Sequence, residues 1–190
     1  NNLMYNTFIT QTMGSFLIEN RPKKILEIGR GYGMTYVMFC HVVEENGNVW
    51  SIDHRSKNDN VVYDLLARYD VSKNKKYNNN MLICNSYDKN AIDLVMKDNN
   101  KIDCLYFDAN LIDKNHIKKD LIAWLPHLSN NCSIFFTSPI RSYDCVGTLF
   151  ENVLSNFKTF YLCSNKNFKD YPNTICDWPN DEKLVGINPE

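Results

Sequence analysis

Residues Lys23 to Tyr36 read KKILEIGRGYGMTY, so an apolar run, an acid and three glycines fall within one strand-to-helix turn. Without Cβ atoms, a turn built on Gly29, Gly31 and Gly33 bends sharply and lets its backbone approach a ligand closely. Its place directly after the first strand predicts a binding loop. A dinucleotide fingerprint reads G-x-G-x-x-G and sets a pyrophosphate against backbone N–H groups. Here the pattern is E-x-G-x-G-x-G, and Met34 stands where the dinucleotide pattern has its third glycine. Glu27, just ahead of the loop, suits a ligand carrying an ammonium or hydroxyls better than one carrying phosphates. Asp53 closes the second strand and offers acceptors for paired ribose hydroxyls. The combination points to a nucleoside ligand with a positively charged tail.

The periodicity along the chain alternates. Leu3 to Asn20 has helical spacing and stops before Pro22. Strands are predicted over Ile25 to Ile28, Val49 to Ile52, Met81 to Cys84, Ile102 to Phe107 and Ser133 to Thr137. Between and after them, Gly33 to Val43, Val61 to Tyr69, Ala91 to Met96, Asn115 to Leu125 and Cys145 to Leu154 read as helices. Such alternation implies an α/β, Rossmann-like, doubly wound and mostly parallel sheet with helices on both faces. The last predicted strands, Thr159 to Cys163 and Leu184 to Ile187, have only an irregular Asn-, Asp- and Pro-rich stretch between them. A parallel crossover needs about a dozen residues of helix, so an antiparallel pairing is expected, giving seven strands with one reversed near an edge. The whole chain, 1–190, reads as a single domain, with an N-terminal helix within 1–22 and surface loops at 72–80 and 164–183.

Composition narrows the function classes. A net charge of −1 gives no global attraction to nucleic acid or an anionic membrane. The seven cysteines form no CxxC pair and mostly sit in apolar runs, as buried free thiols of a reducing, cytoplasmic compartment would. No apolar run approaches the roughly 20 residues of a spanning helix, so no membrane association is expected. The chain opens on Asn1 rather than Met, as a trimmed chain or a piece of a longer protein would.

Three blocks, ILEIGRGYGMT, VWSIDHR and KIDCLYFDAN…IKKDLIAWLPHLSNNCSIFF, stand in register with motifs of a known family. The sequence resembles class I S-adenosylmethionine-dependent methyltransferases, closest to the small O-methyltransferase-like branch, over roughly Phe16 to Phe136. The resemblance implies S-adenosyl-L-methionine as cofactor, with Gly29, Gly31 and Gly33 against its methionine part and Glu27 supporting its amino end. It places Asp53 on the ribose, His54 or Arg55 beside the adenine, and Asn85, Ser86 and Tyr87 along the adenine. Asp108, at the end of the fourth strand, would face the reaction centre.

Methyl transfer from a sulfonium is an in-line displacement in which positioning supplies much of the rate. The metal-dependent relatives complete their site with an Asp-Asn pair after the fifth strand, where this chain has Thr137 and Ser138, and Leu111 replaces a familiar Lys or His. No metal is therefore expected. Asp108 is the candidate base or orienting group, and His116 a second catalytic candidate. Lys118, Lys119 and Asp120 read as a solvated helix face. The leading expectation is metal-independent O-methylation of a small-molecule or sugar-like acceptor. Two alternatives are a catalytically degenerate binding or scaffold domain of a larger protein and an RNA ribose methyltransferase. The latter would need a Lys-Asp-Lys-Glu tetrad and a basic groove, and Asp108 lacks such partners at the strand ends.

Overall fold

The computed structural model describes residues 13–55, 57–68, 78–109, 114–136, 157–159 and 187–189. Helix α1 covers residues 13–20 and leads into strand β1, Lys24–Ile28. Then follow α2 (Met34–Val42), β2 (Asn48–Asp53), α3 (Asp59–Arg68), β3 (Asn78–Ile83), α4 (Lys89–Val95), β4 (Ile102–Phe107), α5 (Lys114–Trp124) and β5 (Leu128–Phe136). The five strands are parallel in the order β3-β2-β1-β4-β5. Two three-residue segments, β6 (Phe157–Thr159) and β7 (Ile187–Pro189), lie along the β5 edge, β7 antiparallel to β5. Most residues of the two predicted last strands, and all of the helix Cys145 to Leu154, lie outside the described residues.

The sheet is covered on both faces because side chains alternate along each strand. Ile25 joins Met13, Leu17, Tyr36, Phe39 and Val62 on the face under α1, α2 and α3. Its neighbours Leu26 and Ile28 join Ala91, Val95, Ile117, Leu121 and Trp124 on the face under α4 and α5. Every residue of β1 is buried, as a central parallel strand requires. Strand order reverses between β1 and β4, so their carboxyl ends flank a crevice of the kind in which ligands bind.

Two strand starts and the burial of one acid differ from the sequence reading. Asn78 to Asn80, expected in the surface loop 72–80, form the start of β3 and pair with Asn48 to Trp50. An edge strand needs only backbone partners on one side, so its polar side chains stay largely in solvent. β5 begins at Leu128, before Ser133, because the β4 pairing shifts register between Ile102 and Cys104 and gains an extra contact at Leu128. Asp120 is not on a solvated face: it is buried at 3% exposure, beside Leu121 on the stripe α5 turns inward. The described cysteines Cys40, Cys84, Cys104 and Cys132 are free thiols, all but Cys84 buried.

Candidate cofactor site

The glycine turn is built by three different constraints. At Gly29 (φ +92°) a Cβ would lie 2.6 Å from the Asp108 carbonyl carbon and the Ala109 nitrogen, so the loop after β4 closes directly onto this residue. At Gly33 a Cβ would meet Val62 of α3 at 2.5 Å. Gly31 (φ +52°) is different: a Cβ there would meet nothing within 4 Å. Two glycines thus serve packing, and the middle one leaves an open face.

Asp53 holds that turn in place. Its Oδ2 accepts the Arg30 N–H at 3.0 Å and the Gly31 N–H at 3.2 Å, and its Oδ1 accepts the Arg55 N–H at 3.0 Å. His54 is exposed, with Nδ1 3.4 Å from Asp53 Oδ1. The start of α3 clamps the other side. Asn58 donates to the Gly31 carbonyl at 3.1 Å, and the buried Arg30 reaches Asp59 at 2.6 Å and the Ser51 carbonyl at 3.1 Å. None of Arg30, Ser51, Asn58 or Asp59 stood out in the sequence. Their roles arise from contacts 20 or more positions apart, to which local spacing is blind.

Glu27 lies beneath the turn at 1% exposure, its Oε2 accepting the Ser51 hydroxyl at 2.5 Å. Its Oε1 is buried with no hydrogen-bond partner. Burial pushes its carboxyl up to about 8, the nearby Asp108 and Asp53 carboxylates add to the rise, and Ser51 and Arg30 oppose it. A cationic group delivered here would relieve both the crowding of acids and the orphaned oxygen. Asp108 follows β4, exposed, with its N–H donating to the Ile28 carbonyl at 2.8 Å. The carboxyl ends of β1, β2 and β4 therefore carry three acids at the glycine turn: Glu27 buried and within electrostatic reach of the other two, Asp53 bonded to the turn's N–H groups, and Asp108 with its backbone against Gly29. These residues fit a nucleoside with a cationic tail.

The turn after β3 splits its three candidates. Asn85 is exposed, whereas Ser86 is buried and its hydroxyl donates to Asp120 of α5. The Tyr87 ring meets the His116 ring edge-on at 5.4 Å, and the Lys119 ammonium lies 5.3 Å from its centroid. His116, expected near the chemistry, thus packs against this turn. Among the described residues no three His, Cys, Asp or Glu side chains gather as a metal site, and no helix is long and apolar enough to cross a membrane.

A model of the methyltransferase domain family matches residues 26–138, from β1 to just past β5. The chain belongs to this methyltransferase family. S-adenosylmethionine is the methyl donor of the family. Solved structures with the same fold include an rRNA methylase from Streptococcus thermophilus, 11% identical over 94% of each chain with a TM-score of 0.65. An O-methyltransferase from Bacillus cereus, in complex with SAH, is 14% identical over 93% of this chain and 80% of its own, with a TM-score of 0.59. The O-methyltransferase TomG of tomaymycin synthesis from Streptomyces achromogenes, in complex with SAM, is 12% identical over 82% and 73%, with a TM-score of 0.57. A sequence comparison with curated proteins gives no match. The methyltransferase shares with these structures a fold rather than a sequence.

Proposed function

We propose that this methyltransferase transfers a methyl group to an oxygen of a small-molecule or sugar-like acceptor, without a metal ion. The observation that carries the reading is the set of Glu27, Asp53 and Asp108 at the carboxyl ends of the adjacent strands β1, β2 and β4, beside a glycine turn whose Gly31 leaves an open face. Bound S-adenosylmethionine would supply an electrophilic methyl on a sulfonium. The chain's own part is to bind and orient. Glu27 receives the amino end, its unpartnered Oε1 supplying an acceptor and its ionisation favoured by the incoming positive charge. Asp53, pre-set by the N–H groups of Arg30, Gly31 and Arg55, has lone pairs left for the ribose hydroxyls. Asn85 and His54, both exposed, would meet the base. Asp108 accepts or orients the acceptor hydroxyl as it loses its proton.

An RNA acceptor is the second reading, favoured by the rRNA methylase among the structures sharing the fold. A net charge of −1 supplies no field to gather a polyanion, which supports the small acceptor instead. Isothermal titration with S-adenosylmethionine and S-adenosylhomocysteine, followed by a turnover screen of hydroxylated small molecules and of RNA, tests the reading. Binding of both cofactor forms with turnover on a small hydroxyl compound supports it. Loss of all cofactor binding assigns the chain to the degenerate scaffold class, and turnover on RNA alone to the second reading.

A further inference from the structure

Asp120 is the one carboxylate carried on the inward stripe of α5, three residues after Ile117, one before Leu121 and four before Trp124. Burying an acid among such neighbours costs free energy unless a partner satisfies it. The partner is the Ser86 hydroxyl, itself buried in the turn between β3 and α4. Beside this bond, Tyr87 packs on His116 and under Lys119, one turn before Asp120 and adjacent to it on the same helix. Two consecutive residues of the turn are thus stitched to α5, and the preceding residue, Asn85, is left exposed. A buried acid accepting one specific hydroxyl fixes the turn in angle as well as distance.

We propose that Asp120 is a positioning residue of the cofactor site, holding Ser86 and thereby setting Asn85 against the adenine end of the cofactor. The inference rests on the reading of this turn as the adenine-side wall. Burial pushes the Asp120 carboxyl up to about 6 against the opposing effects of Ser86 and His116, so it is still largely ionised at neutral pH and a strong acceptor. Losing the bond frees the turn, and the cost appears in base recognition.

The test is calorimetric titration of S-adenosylhomocysteine, and of its analogue with hypoxanthine in place of adenine, into Asp120→Ala, Ser86→Ala, the double variant, Asp120→Asn and Asn85→Ala. Loss of a hydrogen bond to a charged group predicts that Asp120→Ala and Ser86→Ala each weaken S-adenosylhomocysteine about tenfold. The double variant should be no weaker than either single, because both remove one bond. Asp120→Asn, whose amide oxygen still accepts the Ser86 hydroxyl, should stay within about threefold of the parent and keeps the test alive if the alanine variant does not fold. The preference for adenine over hypoxanthine should narrow in Asp120→Ala. Unchanged affinity, multiplicative single effects, or equal weakening of both ligands overturns the positioning role. If Asn85→Ala binds both ligands as the parent does, the reading of the turn as the adenine wall fails, and the proposal with it.

Discussion

Glu27 and Ser51 are register partners on β1 and β2, and the Ser51 hydroxyl donates to Glu27 Oε2 at 2.5 Å while Oε1 stays buried without a partner. One side of the carboxyl is therefore fixed and the other is left for something else. In the unliganded chain the cheapest state of such a group is the neutral acid, which is the sense of its rise to about 8.

That rise makes stability depend on pH. Between the ordinary carboxyl value of 4.5 and about 8, the folded chain holds a proton on Glu27 that the unfolded chain has lost. Stability therefore falls as pH rises through this window, by up to about 1.4 kcal/mol per pH unit, and levels off above it. Glu27→Gln should flatten the profile and match or exceed the parent at pH 8 to 9, while binding S-adenosylhomocysteine less tightly. Urea midpoints from pH 5 to 9 check this, and parallel profiles for the two proteins would disprove it.

The glycines should separate by function. Gly29→Ala drives a Cβ into the backbone of Asp108 and Ala109 and should cost roughly 1–3 kcal/mol of stability, as overpacking does. Gly31→Val meets no protein atom near its Cβ, so folding should largely survive, though φ of +52° adds backbone strain of about 1–2 kcal/mol. The valine fills the space on the open face, and S-adenosylhomocysteine binding should be lost. Thermal melts and titrations on both variants measure the contrast; retained affinity in Gly31→Val would remove the ligand from this face.

The sequence reading assigns Asp53 to the ribose, a role we propose, and the structure shows a different task, since its Oδ2 holds the N–H groups of Arg30 and Gly31. Asp53→Ala should weaken cofactor binding by at least about 1.5–3 kcal/mol, the range for a hydrogen bond to a charged group. Asp53→Asn, keeping one carbonyl acceptor, should fall between. Titration that finds a change of only a few tenths of a kcal/mol in the alanine variant would reduce Asp53 to a turn residue.

The strand ends and the glycine turn were readable because both are local: an apolar run, then residues whose backbone freedom or charge interrupts it. Asp120 was missed for an identifiable reason. Its neighbours Lys118 and Lys119 suggested a solvated face, yet the spacing of Ile117, Leu121 and Trp124 already placed it on the buried stripe. Weight given to position over charge would have found it. Arg30 carried no comparable signal, because its burial depends on Asp59 and the Ser51 carbonyl, 29 and 21 positions away. The start of β3 at Asn78 was hidden because an edge strand is held by backbone bonds, which side-chain pattern does not report.

Turnover by this methyltransferase should not depend on a divalent metal ion. A hard divalent cation needs several oxygen ligands to replace its hydration shell, and neutral Thr137 and Ser138 in the sequence stand where a second acid and its amide would be required beside Asp108. Turnover, once an acceptor is in hand, should therefore persist in excess EDTA and gain nothing from magnesium. Asp108→Asn should lower kcat by about 10²- to 10⁴-fold, the usual contribution of a positioned base, with a smaller effect on cofactor affinity. Activity abolished by EDTA and restored by magnesium would show that a further acid, such as Asp113 or Asp144, joins Asp108 in holding a cation.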